Sequence, residues 1–199
     1  MTPFVGRSDE LALLHRYLSL AATRKGQVVA VVGEAGVGKS RLIYELASAK
    51  RLEGWRVLET SAASYAQAIS WGPVIRLLKV YFAIHDRDDA GAIREKVASA
   101  LSPLDPELEL LAALLTLLDA PIADTAWRTL EPSQRRRRLL DAVRRLLLWE
   151  AQRQPLLLIF EDLHWMDSET QAALDGLVDV LESARLGLLV SYRTGHGDA

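Results

Sequence analysis

The sequence predicts an α/β fold, a mostly parallel sheet with helices layered on both faces, and three observations carry that expectation. Short apolar runs at 27–32, 56–60, 155–160 and 186–192 read as buried strands. Segments with helical spacing alternate with them. The stretch from 61 to 154 holds no convincing strand pattern and reads as a largely helical insertion between the second and third strands. Composition fits one domain over residues 1–199, with 50% apolar and 25% charged residues. The 24 Lys and Arg against 26 Asp and Glu leave a net charge of −2, which predicts no bulk attraction to nucleic acid or to an acidic membrane. The absence of cysteine removes disulfides, thiolate metal sites and cysteine nucleophiles together. Arg7, Asp9 and Glu10 stand where a signal peptide needs apolar residues, and no apolar run has the length of a membrane span; the expectation is a cytoplasmic protein without membrane contact.

Taken in order, Leu11, Leu14, Leu18 and Ala22 recur at intervals of three and four, one face of a helix with Ser8 as its cap. Gly26 breaks that pattern before the strand Gln27 to Val32, which is apolar on both faces, as a central strand would be. Lys39 to Glu53 has helical spacing until Gly54 stops it, and the strand Arg56 to Thr60 begins directly afterwards. A strand–helix–strand unit of this kind crosses over right-handed. In the insertion, Pro73 opens a helix to about Ile84 and Asp88 to Leu101 supports another. Asp105-Pro106-Glu107 has the form of a helix start, and the helix it opens, to Leu118, is apolar almost all round, which predicts burial inside the domain in preference to a docking face for other regions. A longer helix from about Ser133 to Arg153 ends at Pro155. Ser168 to Gln171 has the spacing of a capping box opening a helix to about Glu182, and the tail from Thr194 to Ala199 is expected to fray.

The strongest chemical signal is Gly33-Glu34-Ala35-Gly36-Val37-Gly38-Lys39-Ser40. Two glycines, a lysine and a hydroxyl residue at this spacing form a phosphate-binding pattern, whose chance occurrence in a chain of this length is about 0.01. Glycine lets backbone N–H groups converge on phosphate oxygens, and the following helix adds its positive end. Lys39 supplies a mobile charge for the outer phosphates and Ser40 a ligand for magnesium. A glycine-rich turn before a helix is the bland alternative, but the motif lies between a buried strand and a helix, as its mechanism requires.

A nucleoside triphosphate site also needs an acid on the metal side and one to orient the attacking water. Glu161 and Asp162, at the carboxyl end of a buried strand, suit the first and second role respectively. Ligands of open α/β sheets bind outside the carboxyl ends of the strands, which places this pair and the glycine loop on one edge. Arg193, ending the fourth strand, can reach the same edge and sense an outer phosphate, or be a plain surface arginine. Trp165 reads as packing and His164 is left open. No pair of histidines has metal-ligand spacing. Guanine recognition usually uses an Asn-Lys-x-Asp element, and the chain contains no asparagine, so adenine is preferred. The run Arg135 to Arg138 reads as a nucleic-acid footprint or, better, as a solvated helix face interrupted by Asp141 and Glu150.

On these residues the chain resembles the ATPase domain of the STAND group of signal-transducing P-loop proteins, the AAA ATPase-like kind attached to bacterial LuxR-type regulators, nucleotide cyclases and protein kinases. Phe4-Val5-Gly6-Arg7 with Glu10-Leu11, Gly33 to Leu42 and Leu157 to Asp167 carry the resemblance in order. It implies a three-layer P-loop NTPase fold of the additional-strand type, with the strand before Arg193 lying between the loop strand and the Glu161 strand. It implies that Val5, Gly6 and Arg7 lie near adenine and ribose, that residues 33–40 with Arg41 hold ATP or ADP, and that Arg193 is a sensor. Met166 stands where the family often has alanine. The resemblance further implies a magnesium-dependent ATP switch, attached to effector and sensor domains in a longer polypeptide, with a nucleotide-dependent oligomer as one outcome and no direct nucleic-acid binding. The competing expectations are a DNA-associated AAA-type loader, a small-molecule P-loop kinase, and an interaction domain that binds ATP without turnover.

Overall fold

The computed structural model describes residues 6–62, 70–105 and 109–193. Helix α1 (Ser8–Ala22) buries Leu14 and Leu18 of the predicted face, while Leu11 and Ala22 are half-buried and Ala21 is buried in place of Ala22. Its cap is Arg7 and not Ser8, which is the first helical residue; the Arg7 carbonyl accepts the N–H of Leu11 and no side chain caps the start. Strand β1 (Gln27–Val32) leads through the glycine loop into α2 (Lys39–Ala47), shorter than its apolar period suggests. Ala49 is extended, at φ −71° and ψ 137°, and a 3₁₀ turn over Lys50–Leu52 carries the chain into β2 (Arg56–Ser61). Leu52 is buried, so the apolar period persists while the helix does not.

The insertion is helical throughout its described part, with α3 (Gly72–Tyr81), α4 (Ala90–Leu101), α5 (Leu111–Leu117), the short α6 (Thr125–Arg128) and α7 (Pro132–Arg153). The expected helix start at Asp105-Pro106-Glu107 falls partly outside the described residues. Its helix begins later, at Leu111, and the Asp105 carboxylate instead accepts the N–H of Leu110 at 2.6 Å. Burial of that segment is borne out, since every α5 residue except Thr116 is buried. Strand β3 (Leu156–Glu161) takes in Glu161 as its last residue. Helix α8 (Ser168–Val178) is capped by Asp167, whose carboxylate accepts from the N–H groups of Glu169 and Thr170, and not by the predicted Ser168 box. A 3₁₀ turn at Leu181–Ser183 replaces its expected last turn before β4 (Leu186–Tyr192).

Among the described residues the sheet is four-stranded, in the order β1-β4-β3-β2, and all pairs are parallel. The expected position of β4 between β1 and β3 is borne out. One face, with Leu157, Ile159 and Leu189, is covered by Leu14, Leu18, Leu42, Ile43 and Leu46 of α1 and α2. The other, with Leu58, Leu156, Leu158, Phe160, Leu188 and Val190, is covered by the helices of the insertion and α8. β1 is not central, as its composition suggests, but an edge. Its register pairs Val28 with Leu188 and Ala30 with Val190, and on that face Val28 and Val32 remain 49% and 44% exposed.

At the amino ends of the strands, Glu150 of α7 is fully buried, at 0% exposure. It accepts from Tyr81 Oη at 2.8 Å and Gln154 Nε2 at 2.6 Å, and pairs with Arg56 at 3.4 Å. The same guanidinium donates to the Tyr81 carbonyl and stacks on the Tyr81 ring at 4.1 Å. This cluster ties α3, α7 and β2 together through satisfied polar groups, the condition under which a buried charge is tolerated.

Candidate functional site

At the carboxyl ends of the strands, the backbone between β1 and α2 adopts conformations that only its glycines take without strain. Gly36 and Gly38 have φ of 79° and 88°, and a Cβ on either would meet open space and not protein. Gly38 is the residue preceding the first turn of α2. The loop is tied to β4 by a bond from the Gly33 N–H to the Tyr192 carbonyl at 3.4 Å, so Arg193, exposed at the next position, stands beside the loop's start.

Lys39 is 8% exposed and closes the loop from within, its ammonium donating to the carbonyls of Gly33 and Glu34, both at 2.8 Å. Ser40 donates from Oγ to Glu161 Oε2 at 2.5 Å, a contact across 121 residues. Arg41 is paired along α2 with Glu45 at 2.5 Å, and Arg7 donates to the Val37 carbonyl, which ties the start of α1 to the loop. Gly6 is exposed in a left-handed conformation, Glu34, Ala35 and Val37 are exposed loop residues, and Val5 lies outside the described residues. The structure thus brings Arg7, Lys39, Ser40 and Glu161 to one edge with the glycine loop.

Asp162 lies just outside β3 in the left-handed region, at φ 55° and ψ 48°. Its N–H donates to Ser191 Oγ of β4 at 3.2 Å, and its carbonyl accepts from the Trp165 N–H at 2.9 Å. His164 and Trp165 form the following 3₁₀ turn, with their rings 5.1 Å apart. Asp167 is a further anchor. Besides capping α8 it accepts from the Trp71 N–H at 2.9 Å and from Thr170 Oγ1 at 2.7 Å. Burial pushes its carboxyl up, but these bonds outweigh burial and hold it below its ordinary value.

Sequence reasoning missed Glu59. The β2–β3 register sets Glu59 opposite Ile159 and Ser61 opposite Glu161, so Glu59 shares a sheet face with Glu161 two positions along. Its carboxyl is pushed above the ordinary value by partial burial first, then by the charge of Glu161 and a hydrogen bond to it. Two acids set side by side make a place where positive charge is favoured. An acid two residues from the carboxyl end of β2 was the only available signal.

Magnesium suits this donor set. It binds through one or two carboxylates and keeps water and phosphate oxygens for the rest of its shell, and Ser40 with Glu161 offers one hydroxyl and one carboxylate beside the loop. Among the described residues no group of three or more histidines or acids could enclose a metal by itself. The arginine run is partly engaged: Arg135 donates to the carbonyls of Arg128 and Leu130, and Arg136 grips Glu169 of α8 with two bonds of 2.8 and 2.9 Å. No helix among the described residues is long and apolar enough to cross a membrane.

Among curated proteins none matches the chain. The family model described as AAA ATPase domain matches residues 3–191. That span takes in the glycine loop, Glu161, Asp162 and all of the parallel sheet but Tyr192, and the chain belongs to the AAA ATPase domain family.

Proposed function

We propose that the carboxyl edge of the sheet is a magnesium-dependent ATP-binding and ATP-hydrolysing site, and that residues 1–199 are a switch module of a longer signalling or transcription-regulating polypeptide. The observation that carries the site is the 2.5 Å contact of Ser40 with Glu161, which joins the phosphate-loop helix to the acid-bearing strand. Magnesium bound there supplies charge neutralisation at the outer phosphates. Lys39 exchanges its two carbonyl partners for phosphate oxygens, and Gly36 and Gly38 put no Cβ into the open space beside the loop. Asp162 orients the attacking water and takes its proton. Arg193, anchored beside Gly33, offers a planar donor fork to the terminal phosphate. Arg7, which donates to the Val37 carbonyl, and its neighbour Gly6 are assigned to adenine and ribose.

As a module, this domain passes its nucleotide state to effector and sensor domains of the same polypeptide, with ATP and ADP favouring different assemblies. Turnover by positioned water is slow unless the site is fully enclosed. Lys39→Ala is expected to abolish binding of a fluorescent ATP analogue. Asp162→Ala is expected to keep that binding and lose turnover. Unchanged ATP affinity in Lys39→Ala would overturn the proposal.

A further inference from the structure

We propose that Ser191 is a positioning residue for Asp162: its buried hydroxyl holds the acid's backbone in the left-handed conformation from which the carboxylate serves the site. This inference rests on the nucleotide reading of the carboxyl edge. Ser191 is 1% exposed and lies among Leu186, Leu188, Leu189 and Val190 in a strand otherwise built for packing. The β3–β4 ladder ends at the Phe160–Val190 pair, one residue before Glu161 and two before Asp162. On the other side, β2 follows β3 further, since Ser61 pairs with Glu161 and the Ala62 N–H donates to the Glu161 carbonyl. Asp162 therefore leaves the sheet with its N–H directed to β4 beyond the last ladder pair, and Ser191 Oγ accepts it at 3.2 Å.

The conformation at stake is specific. Asp162 is a non-glycine residue at φ 55°, where a short polar side chain is tolerated but not preferred. Two bonds hold it there, the one from its N–H to Ser191 and the one from the Trp165 N–H to its carbonyl. Such outliers persist only where their surroundings over-determine them. Turning Asp162 to an extended conformation would redirect its Cβ, and with it the carboxylate, while Glu161 stayed fixed in the ladder. The hydroxyl of Ser191 thus sets the direction of the second acid independently of the first. Alanine fits the same space without an acceptor, whereas threonine keeps the acceptor and suits a strand.

Two measurements test this together, amide hydrogen exchange at Asp162 and steady-state hydrolysis of magnesium-ATP beside binding of a fluorescent ATP analogue. In Ser191→Ala, the Asp162 amide is expected to exchange about tenfold faster and kcat to fall about tenfold, with analogue affinity within about twofold of wild type. Ser191→Thr should restore most of both. In an Asp162→Ala background, Ser191→Ala should leave the residual rate unchanged. The proposal is overturned if Ser191→Ala alters neither exchange nor kcat. It is equally overturned if the substitution lowers the residual rate of Asp162→Ala as strongly as that of wild type, or if Ala and Thr lose ATP binding alike. A wild-type chain that binds but does not hydrolyse ATP contradicts the catalytic reading instead, and the exchange measurement then decides whether Ser191 holds Asp162.

Discussion

Two glutamates at opposite ends of the same sheet are built in opposite ways. Glu150, at the amino ends, is fully buried and every partner favours its charge: Tyr81, Gln154 and Arg56 surround it. Burial alone would raise its pKa, but these contacts outweigh burial and lower it. Glu161, at the carboxyl ends, meets Ser40 and a second carboxyl, Glu59, whose pKa is raised. The first arrangement is complete as it stands, whereas the second sets like charges together, a repulsion that a bound cation would relieve. A fold of one sheet can thus keep its stability at one end and hold unfavourable geometry, including a left-handed Asp162, at the other.

Substitutions at the two ends should separate stability from ligand response. The largest expected effect is that of Glu150→Ala, which strips the partner from the Tyr81 hydroxyl and from Arg56. Breaking a buried pair of this kind costs about 3–5 kcal/mol, read as a loss in urea midpoint. Glu161→Gln should change stability by less than about 1 kcal/mol and yet remove the magnesium-dependent part of ATP binding. Acid comes next. Glu150 and Asp167 have folded values below their unfolded 4.5 and 3.8, so their stabilisation is complete above those values. It is lost as pH falls through the lower folded values, and melting temperature should drop below about pH 4. The smallest effect is that of Glu59→Gln. A raised carboxyl disfavours the folded state at neutral pH, but Glu59 is exposed and solvent screens its charge, so removing that charge should raise the metal-free melting temperature by about 1 °C or less, while weakening the response to magnesium.

The glycine loop, the acid pair and the four strands were legible because each is written in contiguous residues. Gln27 to Val32, Lys39 with Ser40, and Glu161 with Asp162 all fall where local pattern places them. The strand order followed from the resemblance and not from periodicity, and β1 shows why. Its valines read as central because they are apolar on both faces, yet it stands at the edge with Val28 and Val32 uncovered. Caps were misread by one residue at Ser8 and Ser168, since neighbouring residues compete to end a helix and Asp167 also serves Trp71, 96 positions away. Glu59 and Ser191 were invisible for a related reason. Their meaning comes from the register of β2 and β4 against β3, a long-range property that no local spacing records.

The most direct test is thermal unfolding of the wild-type chain with magnesium and ATP against magnesium alone. ATP at about 100 times its dissociation constant should stabilise the fold by about 2.7 kcal/mol, a rise of roughly 5–10 °C. The rise should vanish in Lys39→Ala and shrink when magnesium is chelated. A melting temperature indifferent to millimolar ATP, with and without magnesium, would contradict the reading of the carboxyl edge as a nucleotide site.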